Sequence, residues 1–251
     1  MQKITSGSRV DAFFFLGIGF LVTLSIIVLR SVAPSLFPLY FLYLFLAILV
    51  FYFLFQIDFE VISFFSRHFY IGSIILLLIT LLIGQVTRGA VRWIPIGPLT
   101  IQPAEIVRPF LLVFFANYLT EKEINLKRFL NAVGLLALPA FLILVQPSLG
   151  VAVITVVGFV GVFLATNVQK KYFLFAILVF LALAPILWGI LAPYQKGRII
   201  TFINPSQDPY GTGYNAIQSM ISVGSGKILG RGLGKGVQTQ LAFLPEKHTD
   251  F

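Results

Sequence analysis

Two stretches decide the fold: DAFFFLGIGFLVTLSIIVL at residues 11–29 and LFPLYFLYLFLAILVFYFLFQ at residues 36–56. The first has one charged residue, Asp11, at its start; the second has none. As a helix, a block of about twenty residues rises about 30 Å, the depth of a bilayer's hydrocarbon core. Within that core every backbone amide must find its partner inside the chain, which favours helices over irregular structure.

The same kind of block recurs. Seven spans are predicted, at about 11–29, 36–56, 69–86, 104–119, 132–145, 149–165 and 172–192. The predicted class is all-α, a polytopic helical membrane protein, with residues 1–192 as the bundle and 193–251 as a long loop. Composition agrees. Hydrophobic residues make up 58% of the 251, and only 11% are charged, against about 25% in soluble domains. Mean hydropathy is +0.96. A soluble fold of this composition would expose aggregating apolar patches. The 27 phenylalanines suit lipid contact, and the absence of cysteine excludes disulfides and thiol chemistry.

The net charge of +9 would suggest nucleic acid in a soluble chain. Here the basic residues flank spans and set topology, so no nucleic-acid partner is expected. MQKITSGSRVDAFFF begins like a signal peptide, but no small-residue cleavage site follows before Arg30, so it reads as an uncleaved first span. With the N-terminus in the cytoplasm, the inner side carries Lys3, Arg9, Arg67, Lys122, Lys127, Arg128, Lys170 and Lys171. The short outer loops then carry Arg30, Arg88 and Arg92. That excess favours a cytoplasmic N-terminus and places 193–251 outside.

Four stretches carry polar groups suited to chemistry. RGAVRWIPIGPLTIQPAEIVRPF enters the fourth span. Pro103 suits a helix's first turn, and Glu105 there complements the helix dipole. Glu105 and Arg108 share a helix face. They form either an internal ion couple or, with Arg88 and Arg92, a cationic pocket lining a substrate path. QPSLG, from Gln146, reads as a reversal between the fifth and sixth spans. In the tail, YQKGRIITFINPSQDPYGTG is turn-rich. YNAIQSMISV fits a short helix, lying in the interface or on the bundle. GSGKILGRGLGKGVQ matches neither the P-loop nor G-x-G-x-x-G. It is either a turn-rich surface loop or a backbone cradle for an anion, aided by Lys227, Arg231 and Lys235. The last stretch, LPEKHTDF, places Glu246, His248 and Asp250 together. Asp250 is a candidate general base, but no full zinc ligand set is present, because His68 falls on the other side.

RWIPIGPLTIQPAEIVRPF, QPSLG, INPSQDPYGTGYNAIQSMISVGSGKILGRGLGKG and LPEKHTDF resemble, in this order, signature stretches of the SEDS family. These are membrane glycosyltransferases of shape, elongation, division and sporulation, typified by RodA and FtsW. GYNAIQS and QTQLAFLPE look more like the RodA branch. The resemblance implies ten helices, with the loop after the seventh facing outward, so the chain stops at Phe251 before an eighth span. A truncated product with little activity of its own is expected from that. The resemblance also implies polymerisation of lipid II into glycan strands during elongation, with a class B penicillin-binding protein, a transpeptidase, as partner. The family's essential loop aspartate falls on Asp250. Its basic residue after PAE, commonly Lys, is Arg108 here, and the basic position before IQPAE in the division branch is Thr100.

Arg92, Glu105, Arg108, Arg231, Lys235 and His248 are the candidate substrate-binding residues. A divalent cation, Mg or Mn, is a possible helper, though no complete metal site is evident. Three rivals remain: a flippase for the lipid-linked precursor, a division-specific polymerase of the FtsW kind, and a scaffold that only docks a synthase.

Overall fold

The computed structural model describes residues 12–87, 90–97, 99–146, 148–166, 169–228, 230–236, 241 and 243. Asp250, His248, Glu246 and Arg88 therefore lie outside the described residues. The chain divides into two compact units, 49–196 and 1–48 with 197–251.

Helices stand at all seven apolar blocks. They are α1 (Ala12–Val32), α2 (Phe37–Phe55), then, after a short α3 (Phe59–Phe64), α4 (Ser66–Ile83), α5 (Pro103–Thr120), α6 (Leu126–Val145), α7 (Leu149–Ala165) and α8 (Lys170–Ile190). Among the described residues, α1, the segment Pro34–Phe55, α4 and α6 are long and apolar enough to cross a membrane, and α7 is apolar but shorter. α6 starts earlier than expected, at Leu126. The Asn125 side chain caps it by accepting from Arg128 N at 2.8 Å, which satisfies one of the free amides of the first turn.

Two features depart from the sequence expectation. The loop after α4 holds a small antiparallel sheet, β1 (Gln85–Thr87), β2 (Ala90–Ile96) and β3 (Leu99–Ile101), in that spatial order. The chain is thus helical with a sheet insert. Ile96 pairs with Leu99, leaving two residues for the turn, and Gly97 takes φ +60°, as tight hairpin turns require. The stretch read as turn-rich from Tyr194 begins instead with α9 (Pro193–Ile203). Pro193 supplies the preset first turn, and Gln195 Oε1 accepts from Ala192 N at 3.0 Å. YNAIQSMISV does form a helix, α10 (Tyr214–Gly226).

In the 49–196 unit, α4, α5, α6 and α7 pack together, with the sheet against α4 and α5. Leu77, Leu111, Phe115 and Ile143 are fully buried. Aromatic rings run through this core: Tyr70 to Phe114 at 4.5 Å, Phe114 to Phe115 at 5.2 Å and Phe115 to Phe159 at 4.8 Å between centroids. Gly158 allows α7 to approach α5, because a Cβ there would lie 3.0 Å from Leu112 Cδ2.

Pro139 interrupts α6. Lacking an N–H, it leaves the Leu135 carbonyl without its helical donor. The Tyr70 hydroxyl of α4 donates to that carbonyl at 2.8 Å. The strut replaces the missing bond and ties α4 to α6.

α1 and α2 are different: neither buries any residue. Many of their apolar side chains are exposed, Phe13 at 87% among them, as on helices in lipid, while Val22, Ser25, Ile26 and Leu29 make a half-buried stripe along α1.

Candidate active site

The polar groups of the 49–196 unit gather at two opposite ends of the antiparallel helices. At one end, near the start of α4 and α6 and the end of α5, Glu121 holds Arg67 at 3.3 Å and Arg128 at 3.4 Å. Arg128 also donates from Nε to Tyr118 O at 3.2 Å and lies over the Tyr118 ring. Every charge in this cluster has a partner. It closes a helix end and leaves no side chain for chemistry.

The other end is built from the close of α4 and α6, the opening of α5 and α7, and the sheet. Gln146, fully buried, donates from Nε2 to Leu77 O at 2.9 Å, clasping α6 to α4. Gln102, at the N-cap of α5, donates to Ser148 Oγ at 3.3 Å. QPSLG is thus a polar clasp between helices as well as a reversal. Gln102 was missed in the sequence because an amide before a proline reads as turn.

Glu105 and Arg108 meet as their spacing predicts: Arg108 Nη2 lies 2.7 Å from Glu105 Oε2. The approach angle makes an ion pair but not a directed hydrogen bond. Among the described residues, Nε and Nη2 of Arg108 therefore remain buried without a hydrogen-bond acceptor, as does Nε of Arg92 on β2. Gln146 Oε1 lacks a donor as well. Arg108 is 19% exposed at its side chain and Glu105 46%, so the cation sits deeper than its partner. Pro109 adds one more polar group. Without its N–H, the Glu105 carbonyl loses its helical donor.

A buried guanidinium with unused donors is costly and is normally matched by an anion. This end of the unit therefore presents what an anionic, oxygen-rich ligand would satisfy. Arg92 and Arg108 belong to one unit. The ion couple read from the spacing of Glu105 and Arg108 exists in the structure.

Arg231 and Lys235 belong to the other unit. Arg231 donates from Nε to Ser225 O at 3.0 Å, capping the close of α10, where a cation complements the helix dipole. That assigns it a structural task which the sequence reading did not foresee. Lys235 is exposed. Gly230, Gly232 and Gly234 adopt φ of +72°, +99° and +71°, the left-handed region that glycine enters without strain. The glycines of this stretch are thus turn residues in the structure. Asp250 and His248 lie outside the described residues. For Mg or Mn, no group of three His, Asp or Glu side chains stands together among the described residues. The described residues do not make the oxygen cage a hard cation needs, and no step below uses one.

Comparison with known proteins gives the geometry a context. The FtsW/RodA/SpoVE family model, described as cell cycle protein, matches residues 8–251. A probable peptidoglycan glycosyltransferase FtsW of Escherichia coli O6:H1 is 42% identical over 193 residues, covering 74% of this chain and 46% of that protein. A protein of the same name from Idiomarina loihiensis is 38% identical over 183 residues, covering 71% of this chain and 44% of the relative. The chain thus spans about half the length of the curated relatives it matches. Among solved structures, a chain from a peptidoglycan synthase complex that coordinates polymerization and crosslinking is 28% identical. Its TM-score is 0.73, with 85% of this chain and 65% of that chain covered. The rod shape determining protein RodA of Thermus thermophilus shares the fold, with TM-score 0.55 and 18% identity over 95% of this chain and 94% of that one. The apolar helices and these matches together mark an integral inner-membrane protein. The chain belongs to the FtsW/RodA/SpoVE family, the SEDS family that its motifs resemble.

Proposed function

We propose that the chain forms the catalytic half of a peptidoglycan glycosyltransferase that polymerises lipid II. The observation that carries this reading is the set of buried donors on Arg92 and Arg108 that have no hydrogen-bond acceptor among the described residues. They sit at one end of a bundle whose flanks carry many exposed apolar side chains. A lipid-linked sugar diphosphate has the matching parts: a tail for the bilayer, a doubly anionic linker for the guanidiniums, and a sugar beyond them.

In the reaction, a hydroxyl oxygen of the acceptor sugar attacks the donor's anomeric carbon. The bond from that carbon to the diphosphate breaks, and its electron pair leaves on the diphosphate. Asp250 takes the hydroxyl proton as general base. Arg92 and Arg108 offset the charge that grows on the leaving group, a large effect where water is excluded. Glu105 holds the Arg108 guanidinium in place. Arg108 offers a planar fork where relatives commonly carry a compact ammonium. The N-terminus lies in the cytoplasm and 193–251 outside, so the linkage forms at the outer leaflet. A class B penicillin-binding protein that crosslinks the product is the partner. Crosslinking and polymerization are coordinated in the complex that holds the similar chain.

The test is polymerisation from purified lipid II by the full-length protein that contains this chain, with the partner present. Asp250→Asn should abolish polymer while lipid II still binds. Arg108→Ala should lower activity by about 100-fold or more, in the range of losing one electrostatic stabiliser, and Arg108→Lys should recover part. Full activity in Asp250→Asn removes the aspartate from catalysis, and full activity in Arg108→Ala leaves Glu105–Arg108 as a structural couple. Movement of lipid II across vesicles without polymer would favour the flippase reading. For the branch, GYNAIQS and QTQLAFLPE support elongation, whereas the FtsW names of the relatives support division. Complementation of elongation-arrested and division-arrested cells separates the two.

A further inference from the structure

The loop that follows α9 contains a concave site lined by residues not used above. It has a volume of about 310 Å3 and is lined by Ile200, Thr201, Asn204, Gln207, Asp208 and Thr212, together with Gly197. All of these residues lie in the 1–48 and 197–251 unit.

The walls are held rigidly from within the chain. Asp208 Oδ1 accepts from Gly211 N at 3.0 Å, and Oδ2 accepts from Thr212 N at 2.8 Å and from the Thr212 hydroxyl at 3.3 Å. The Thr201 hydroxyl donates to Thr212 Oγ1 at 3.2 Å, tying α9 to the loop. A Cβ on Gly211 would collide with the Asp208 carboxylate, and one on Gly213 with the Pro205 carbonyl. The loop closes only because these two residues have no side chain.

Two side chains stand apart from this frame. Asn204 occupies the N-cap of the 3-10 turn Pro205–Gln207, yet its side chain makes no capping bond. Gln207 closes the same turn. Both are exposed, and among the described residues neither amide has a side-chain hydrogen bond. Each offers a carbonyl acceptor and two N–H donors. The carboxylate in the wall is already spent on backbone amides, and neither lysine nor arginine lines the site. A phosphate would find no cation there, and a metal ion would have to displace three donors. The accessible lining is mostly apolar, with the amides of Asn204 and Gln207 at hand, so the site matches an uncharged ligand that lays an apolar face on the wall and offers hydroxyl or amide groups to those two side chains.

We propose that this site binds an N-acetylated hexosamine unit of a glycan chain, with Asn204 and Gln207 reading its hydroxyl and acetamido groups. The choice of sugar rests on the polymerase reading, whereas the site's neutral polarity does not. In that setting the site holds a sugar of the strand outside the reacting pair and so keeps the product on the protein between additions.

The experiment uses the purified protein in lipid nanodiscs and chitotetraose as the probe, with calorimetric titration. Chitotetraose should bind, and Asn204→Ala and Gln207→Ala together should weaken it about tenfold, as loss of two hydrogen-bonding side chains implies. Because neither side chain supports the fold, circular dichroism and melting temperature should stay unchanged. An Ile200→Asp variant, which alters the apolar wall instead, should weaken binding as well. Absence of chitotetraose binding, binding unmoved in all variants, or displacement of the sugar by inorganic pyrophosphate overturns the proposal. Because the titration needs no lipid II, failure of the polymerase reading would leave the binding result standing or falling by itself.

Discussion

The strut between Tyr70 and the Leu135 carbonyl offers the sharpest test of the packing argument. Tyr70→Phe removes one oxygen and nothing else. It leaves a carbonyl that Pro139 has already deprived of its helical donor. Two magnitudes bracket the cost. Inter-helix hydrogen bonds in membrane proteins average about 0.6 kcal/mol, because the unfolded state also finds partners. A buried acceptor left with no donor costs about 1–3 kcal/mol. Tyr70 is only 8% exposed, so little water can replace the hydroxyl, and the expected loss is about 1.5 kcal/mol. In a Pro139→Ala background, residue 139 regains its N–H and can serve Leu135 from within α6. There Tyr70→Phe should cost about 0.5 kcal/mol or less, a coupling of about 1 kcal/mol. Reversible unfolding in mixed detergent micelles, followed by circular dichroism for all four members of the cycle, measures it. Equal costs in the two backgrounds would refute the claim that the hydroxyl stands in for the proline's missing donor.

Other perturbations follow the same logic. Gly158→Val should destabilise the 49–196 unit by about 1–3 kcal/mol, as overpacking does, since its added carbons meet Leu112 on α5; thermal unfolding in detergent reports it. Asn125→Ala should cost about 1 kcal/mol by uncapping α6, and amide exchange should accelerate only in the first turn of that helix. Gly213→Ala should open the loop after α9, because its methyl meets the Pro205 carbonyl. Limited proteolysis should then cut near residues 204–213 while the melting temperature of the bundle stays within a few degrees.

Much of the architecture was legible because lipid imposes a simple rule. Apolar length sets the helices, and Pro103, Glu105 and Arg108 lie at the opening of α5 where propensity, dipole and spacing place them. The sheet at 85–101 was not legible. Its strands are three to seven residues long and carry arginine and proline, which read as loop, and they are stabilised by pairing with one another and by packing on α4 and α5. α9 was hidden by the dense turn signals just beyond it, although Pro193 and Gln195 are the residues that start it. At the candidate site, sequence spacing foretold the Glu105–Arg108 pair but not which guanidinium atoms would stay without acceptors, since that depends on approach angles. Arg231 shows the converse. Charge among glycines left a turn-rich loop and an anion cradle both open, and the bond from its Nε to the end of α10 was not foreseen.

The bare flanks of α1 and α2 have an evolutionary corollary. A helix that interlocks with neighbours must keep particular shapes at particular positions, whereas a flank wetted by acyl chains answers only to its average oiliness. Leucine, phenylalanine, isoleucine and valine are nearly interchangeable there, so these two segments can drift in spelling while keeping their meaning. Related chains should therefore agree least, letter for letter, where they are greasiest, and most around the few polar atoms that have nowhere else to go.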